Sequence, residues 1–289
     1  DGSWWECEIK NDLCNGKGKW VYADGSFYEG EFKDSNAHGY GKWIGSDGSS
    51  YEGEFKNNVY HGYGKFIDNL GSVSEGYFEN YQLNGEGIYT NYNGSVYKGP
   101  FKDGFLEGEG FYSKPDGTEV SGFFVKDYLN GQGTWKFDNG DIAKGEFKDD
   151  RLNGYGTYTY ANGDKAEGEF KNNLLNGKGK FYGTDGSIYE GEFKNNLRQG
   201  KGKYIDGNGH TYEGGFKNNL YDGKGIFKYK NGIIAKISAN AGCIHPHFHE
   251  IKIFQKDKTI VSNLKNQFKI NNVNKKNNFS KSKSNYPDK

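Results

Sequence analysis

Large apolar side chains alternate with polar ones in short runs along this chain, and the runs return at a constant interval. Phe32, Phe55, Phe78, Phe101, Phe124, Phe147, Phe170, Phe193 and Phe216 are each 23 residues apart, and Ile9 holds the same place in an earlier copy. A fixed period of this size is the signature of a stacked repeat. With Tyr28 as position 1 and Phe32 as position 5, ten repeats begin at Trp5, Tyr28, Tyr51, Ser74, Tyr97, Val120, Ala143, Ala166, Tyr189 and Tyr212. Position 3 is Gly in nine of the ten, with Cys7 the exception, and positions 12, 14 and 21 are Gly in all. Position 16 is always aromatic, from Trp20 to Phe227.

Within a repeat the period is two, the spacing of one face of a β-strand. Each repeat is expected to be a strand, a turn of about five or six residues, a second strand, and an Asp-Gly or Asn-Gly turn into the next copy. Rings at positions 1, 5 and 16 share the inner face with the glycines of positions 3 and 14. A ring lying flat over a neighbouring glycine builds a core with few aliphatic residues. The glycines cost roughly 0.5–1 kcal/mol each in backbone entropy; burial of about 150–250 Å² per ring offsets this. The outer face carries Glu at positions 2 and 4 (Glu29, Glu31, Glu52, Glu54, Glu190, Glu192) and Lys at positions 13 and 15 (Lys17, Lys19, Lys178, Lys180, Lys201, Lys203). Opposite charges then face one another across strands, each pair worth a few tenths of a kcal/mol.

Composition sharpens this picture. Apolar residues make up 33% of the 289, below the globular average, yet aromatic residues alone are 17%. Disordered chains are poor in aromatics, so the low apolar share does not signal disorder here. Thirty-eight basic and 38 acidic side chains cancel, which gives no support to whole-protein steering toward nucleic acid or an anionic membrane. Cys7, Cys14 and Cys243 are an odd, sparse set, unlike a disulfide framework, and fit a reducing compartment. Cys7 and Cys14 are read as small apolar substitutes. No apolar run approaches the roughly 18 residues of a membrane span, and no signal peptide opens the chain. The missing initiator Met, with Asp1 already in phase with a repeat turn, suggests a fragment of a longer chain.

The run Y-E-G-E-F, then G-x-G, an aromatic residue and Asp-Gly, resembles the MORN repeat from Trp5 to about Gly232. The resemblance implies an all-β, elongated single-sheet solenoid of ten antiparallel β-hairpin repeats. It also implies use as a scaffold, dimerisation or membrane-proximal module rather than as an enzyme. Phe replaces the family's usual Trp at position 5. Position 1 weakens to Ser74, Val120, Ala143 and Ala166, which thins the aromatic face in mid-array.

Three regions follow: the repeat array over 1–232, a C-terminal cap over 233–270, and a disordered Asn/Lys/Ser tail over 271–289. In the cap, Ile251 and Ile253 alternate as in a short strand, while Ile260, Leu264 and Phe268 form one helical stripe. An array needs its open end covered. His245, His247 and His249 alternate as a zinc-binding strand does. Pro246 interrupts that strand and no second ligand cluster exists, so no metal site is assigned. The G-x-G strings lack the third glycine and the following helix of a dinucleotide fingerprint. The carboxylates are ladder repeats, so neither catalysis nor a cofactor is expected.

The departures from the ladder say more. In repeats four to six, positions 4 and 15 become Tyr77, Ile88, Pro100, Phe111 and Phe123, flanked by Glu86 and Glu109. Apolar side chains grouped on a solvent face mark a candidate partner-binding patch. Pro100 removes a backbone donor and should mark a bulge or bend. In the tail, Lys275, Lys276, Lys281 and Lys283 are a weaker candidate for anionic lipid, at about 1 kcal/mol per residue near a membrane. The expected protein is a non-catalytic scaffold, cytoplasmic and in a cytoskeletal or ciliary setting, with protein partners, a possible homodimer contact and a possible peripheral membrane contact. The alternative is the repeat region of a larger enzyme, a lipid kinase or protein methyltransferase, whose catalytic part lies outside these residues.

Overall fold

The computed structural model describes residues 2–239 and, beyond them, the strands Glu250–Gln255, Lys258–Asn263 and Phe268–Asn272. The chain divides into two bodies, Asp1–Asp150 and Arg151–Lys289. Among the described residues every regular element is a strand. Within each body the strands pair antiparallel in chain order, as Phe27–Lys33 does with Asn36–Ile44, and Lys165–Lys171 with Leu174–Tyr182. This is the expected all-β hairpin array.

The turn inside each repeat is tighter than the spacing predicts. Only positions 7 and 8 lie outside the strands, and both take positive φ, as at Asn57 (50°) and Asn58 (68°) or Asn195 (50°) and Asn196 (65°). Two such residues match the right-handed twist of the flanking strands. The residues expected to lengthen the turn are instead absorbed by a bulge. In repeat 2, Phe32 faces Ala37 and Gly30 faces Gly41, so four residues on one strand span two on the other. Gly39 sits at this bulge with φ 69°, a conformation that favours glycine.

The Asp-Gly signal marks a different turn, the five-residue link between repeats. At Tyr22–Ser26 the amide of Gly25 donates to Tyr22 O at 3.0 Å, and Asp24 Oδ1 accepts from the Ser26 amide at 2.9 Å. Only the glycine has positive φ there, 86° at Gly25. Successive repeats are also stitched through position 8. Its side chain accepts from the position-10 amide of the preceding copy, Asn58 from Ala37 at 2.7 Å and Asn196 from Leu175 at 2.6 Å.

Inside each body the core is the inner face. The Tyr28 ring meets Phe32 at 5.1 Å and Phe55 of the next repeat at 4.8 Å, both edge-on. Each such contact adds about 0.5–1.5 kcal/mol beyond burial. The Tyr28 hydroxyl crosses the glycine pair Gly30–Gly41 and donates to Glu31 O at 2.8 Å. Where position 1 is small, the face is not thinned. Position 10 becomes Leu83, Leu129, Leu152 or Leu175, each no more than 5% exposed, and Leu129 and Leu175 cover the position-14 glycine in place of the tyrosine.

Further expectations are corrected. Cys7 and Cys14 are joined in a disulfide, with Cα atoms 5.8 Å apart, so the cysteines give no argument for a reducing compartment. Positions 3 and 10 both face inward on paired strands, so two cysteines there meet. The array also runs past Gly232: Ile234–Ala239 pairs with Leu220–Lys228 in repeat register, burying Ala235 and Ile237 at positions 1 and 3 of an eleventh copy. Ile260 and Phe268 lie in strands rather than on a helix. Lys258–Asn263 is rich in β-branched residues, and that preference overrides the four-residue spacing. Phe268–Asn272 also runs two residues into the expected tail. Leu264 and residues 273–289 lie outside the described residues.

Candidate functional site

On the outer face the charge ladder forms as ion pairs between positions 15 and 2. Lys19 meets Glu29 at 3.2 Å, Lys42 meets Glu52 at 3.8 Å and Lys180 meets Glu190 at 3.4 Å. These pairs are exposed and contribute little. Position 4 has a second role. The carboxylates of Glu31, Glu54, Glu169 and Glu192 lie against the bulge glycines Gly39, Gly62, Gly177 and Gly200. Glu54 Oε1 accepts from the Tyr63 amide at 3.3 Å, and Glu192 Oε1 from the Lys201 amide at 3.3 Å.

All five patch residues lie on this face of the N-terminal body. Tyr77, Pro100 and Phe123 take the glutamate's place over the bulge, beside Gly85, Gly108 and Gly131. Tyr77 is 52% exposed and Phe123 44%; Ile88 and Phe111 are exposed at position 15, and Pro100 is half-buried. The register sets Glu86 opposite Pro100 and Glu109 opposite Phe123, where the ladder repeats have Lys opposite Glu. Tyr63 extends the row, its ring edge-on to Tyr77 at 5.6 Å. Pro100 falls where repeats 2 to 4 carry their bulge, and the facing strand breaks there into Phe105–Leu106 and Gly108–Ser113.

The inner face holds a second concavity, which the sequence reading does not single out. A cavity of about 400 Å³ is lined by Tyr97, Tyr112, Trp135, Tyr128, Asp127 and Asp150, among others. Both carboxyls are pushed above the usual carboxylate range, chiefly by burial, although each accepts an amide hydrogen bond, from Leu106 and Leu129 respectively. Trp135 Nε1 is buried there without a hydrogen-bond partner. The signal lay at position 8, where four other repeats carry Asn (Asn58, Asn173, Asn196, Asn219). Lys114 already stands over the Tyr112 ring at 5.9 Å, so the cavity has mixed charge.

No group of three or more metal-ligating side chains occurs among the described residues. His245, His247 and His249 lie outside them, as do Lys275, Lys276, Lys281 and Lys283. The described residues contain no helix long and apolar enough to cross a membrane.

These features define a repeat protein whose copies differ mainly in what the outer face presents. The chain belongs to the MORN-repeat family: the family model matches ten consecutive copies between residues 8 and 234. A MORN array suggests a repeat-based interaction scaffold. None of the curated protein sequences matches the chain. Among solved structures it is similar to the TCP domain of Drosophila melanogaster SAS-4, in complex with a proline-rich motif of Ana2. That match has 16% identity over 57% of this chain and 83% of that one, with TM-score 0.34. It is also similar to the TCP10 domain of Danio rerio CPAP, in complex with a STIL peptide, at 11% identity over 98% of this chain and 99% of that one, with TM-score 0.26.

Proposed function

We propose that this chain is a non-catalytic scaffold that docks a protein partner on the outer face of repeats 4 to 6. The observation that carries the reading is the replacement, in three successive copies, of the bulge glutamate by Tyr77, Pro100 and Phe123. Ile88 and Phe111 add exposed apolar surface beside them. The fold does not require these side chains, since the glutamate repeats build the same bulge. Exposed apolar groups with no folding role are the mark of a surface that is covered part of the time. The setting we propose is cytoplasmic and next to the cytoskeleton, which accords with the MORN family resemblance.

The test is affinity capture from native extract with Tyr77, Phe111 and Phe123 changed to Ser, the captured protein being identified and re-bound in purified form. Loss of that binding with an unchanged far-UV circular dichroism spectrum is expected. Undiminished binding refutes the reading.

A further inference from the structure

The patch repeats with the array, and that periodicity constrains what lies on it. Tyr77, Pro100 and Phe123 are one repeat apart in register, as are Ile88 and Phe111, and Glu86 and Glu109. One repeat is two strands, or about 9.6 Å at the usual inter-strand spacing. An occupant that uses these rows must therefore present equivalent side chains every 9.6 Å or so across the strands. An extended segment fails this: same-side residues fall at about 6.8 and 13.6 Å, and the residue nearest 10 Å points the other way. An α-helix meets it, because seven residues climb about 10.5 Å and return to the same side. Positions 13 and 15 lie roughly 6.8 Å apart along a strand. A helix laid across the strands covers both rows at once, because its diameter with side chains is about 10–12 Å.

Charge decides the sign of that helix. In the ladder repeats the position-13 lysine faces a glutamate, as Lys178 faces Glu192. Glu86 and Glu109 face Pro100 and Phe123 instead, and neither is in an ion pair among the described residues. Lys98 is the cation between Ile88 and Phe111, and Glu75, which faces Ile88 from the other side, is already paired with Lys65, so with Glu86 and Glu109 the patch carries net negative charge. We infer that the patch takes an amphipathic basic α-helix lying across the strands, with an apolar seam over Ile88 and Phe111 and Lys or Arg at heptad spacing over Glu86 and Glu109. This rests on the docking reading above and adds the shape and charge of the partner.

The experiment uses the full chain and three synthetic 21-residue peptides, with binding followed by fluorescence anisotropy. One has a leucine seam with Lys at heptad spacing. The second replaces those Lys by Glu, and the third keeps the basic sequence but carries a central Pro. The basic helix should bind at least about tenfold more tightly than either of the others, weakening with salt. The pair Glu86→Lys and Glu109→Lys should reverse the preference toward the acidic helix, with circular dichroism confirming the fold. Equal binding of all three peptides, or no binding of any, overturns the helix inference. An unreversed preference in the charge variant overturns the assignment to Glu86 and Glu109. In either case the Tyr77, Phe111 and Phe123 variant still reports separately on whether the patch docks a partner.

Discussion

The core offers a sharp test, because it fills the same space in two ways. In repeat 2 Tyr28 covers the glycine pair and position 10 is Ala37; in repeat 8 position 1 is Ala166 and Leu175 covers Gly179. Leu175→Ala alone opens a cavity at a site only 2% exposed, and should cost about 2–5 kcal/mol. Ala166→Tyr alone drives a ring into space the leucine occupies, for about 1–3 kcal/mol. Together they recreate the repeat-2 pair. The new ring would lie over Gly168 and Gly179, edge-on to Phe170 and Phe193, its hydroxyl donating to Glu169 O as Tyr28 donates to Glu31 O. The double variant should therefore lose no more than about 2 kcal/mol, a favourable coupling of at least about 1 kcal/mol. Urea unfolding with a constant slope in all four proteins measures it. If the double variant costs the sum of the singles to within about 0.5 kcal/mol, the two positions do not exchange volume and the reasoning fails.

Other outcomes follow from the same geometry. Burial raises the Asp127 and Asp150 carboxyls, so the folded chain holds their protons more tightly than the unfolded one. Their favourable contribution is complete below the ordinary carboxylate range and is lost as pH rises through the raised values. Asp127→Asn and Asp150→Asn should therefore each raise the urea midpoint at pH 7 and give no gain in acid. Burial likewise pushes the Tyr189 and Tyr212 hydroxyls up to about 12 from an ordinary 10.0. Stability complete below pH 10 should then fall as pH rises toward 12, and Tyr189→Phe with Tyr212→Phe should lessen that loss of circular dichroism. A methyl at Gly64 would run into the Tyr51 hydroxyl, so Gly64→Ala should cost about 1–3 kcal/mol in thermal or urea unfolding.

The array was legible because its constraints are local and repeated. Glycine at positions 3 and 14, with a ring at 16, states both strands and the face they share. Position 10 was hidden because its residue changes, from Cys14 and Ala37 to Leu129 and Tyr221. The rule there is one-sided: where position 1 is Ser, Val or Ala, position 10 is Leu, as at Ser74 with Leu83 and Ala166 with Leu175, and no single column shows it. The two-residue turn was hidden because its positive φ falls on Asn, Asp, Ser, Tyr and Lys, while the Asp-Gly pairs drew attention to the other turn. The cysteines misled because three of them, counted as a set, look sparse, whereas register alone brings Cys7 and Cys14 together. The patch was legible as a loss of charge, and its rows follow from the period. The inner cavity was not, since it depends on which neighbours bury Asp127 and Asp150.

Position 4 explains how one repeat can be both rigid and variable. Its backbone lies opposite the bulge, yet its side chain stays outside the core, resting on a glycine and, at Glu54 and Glu192, also accepting one amide hydrogen bond. Glu, Tyr, Pro and Phe all satisfy that contact, at Gly39, Gly85, Gly108 and Gly131. A substitution there leaves the Tyr-over-Gly core and the position-8 stitch untouched, so it changes what the surface offers at little cost to folding. The inner positions have no such freedom: exchanging Tyr for Ala at position 1 requires a leucine nine residues later. Selection for a partner therefore acts most easily on positions 4, 13 and 15. Those are the positions at which repeats 4 to 6 depart from the rest.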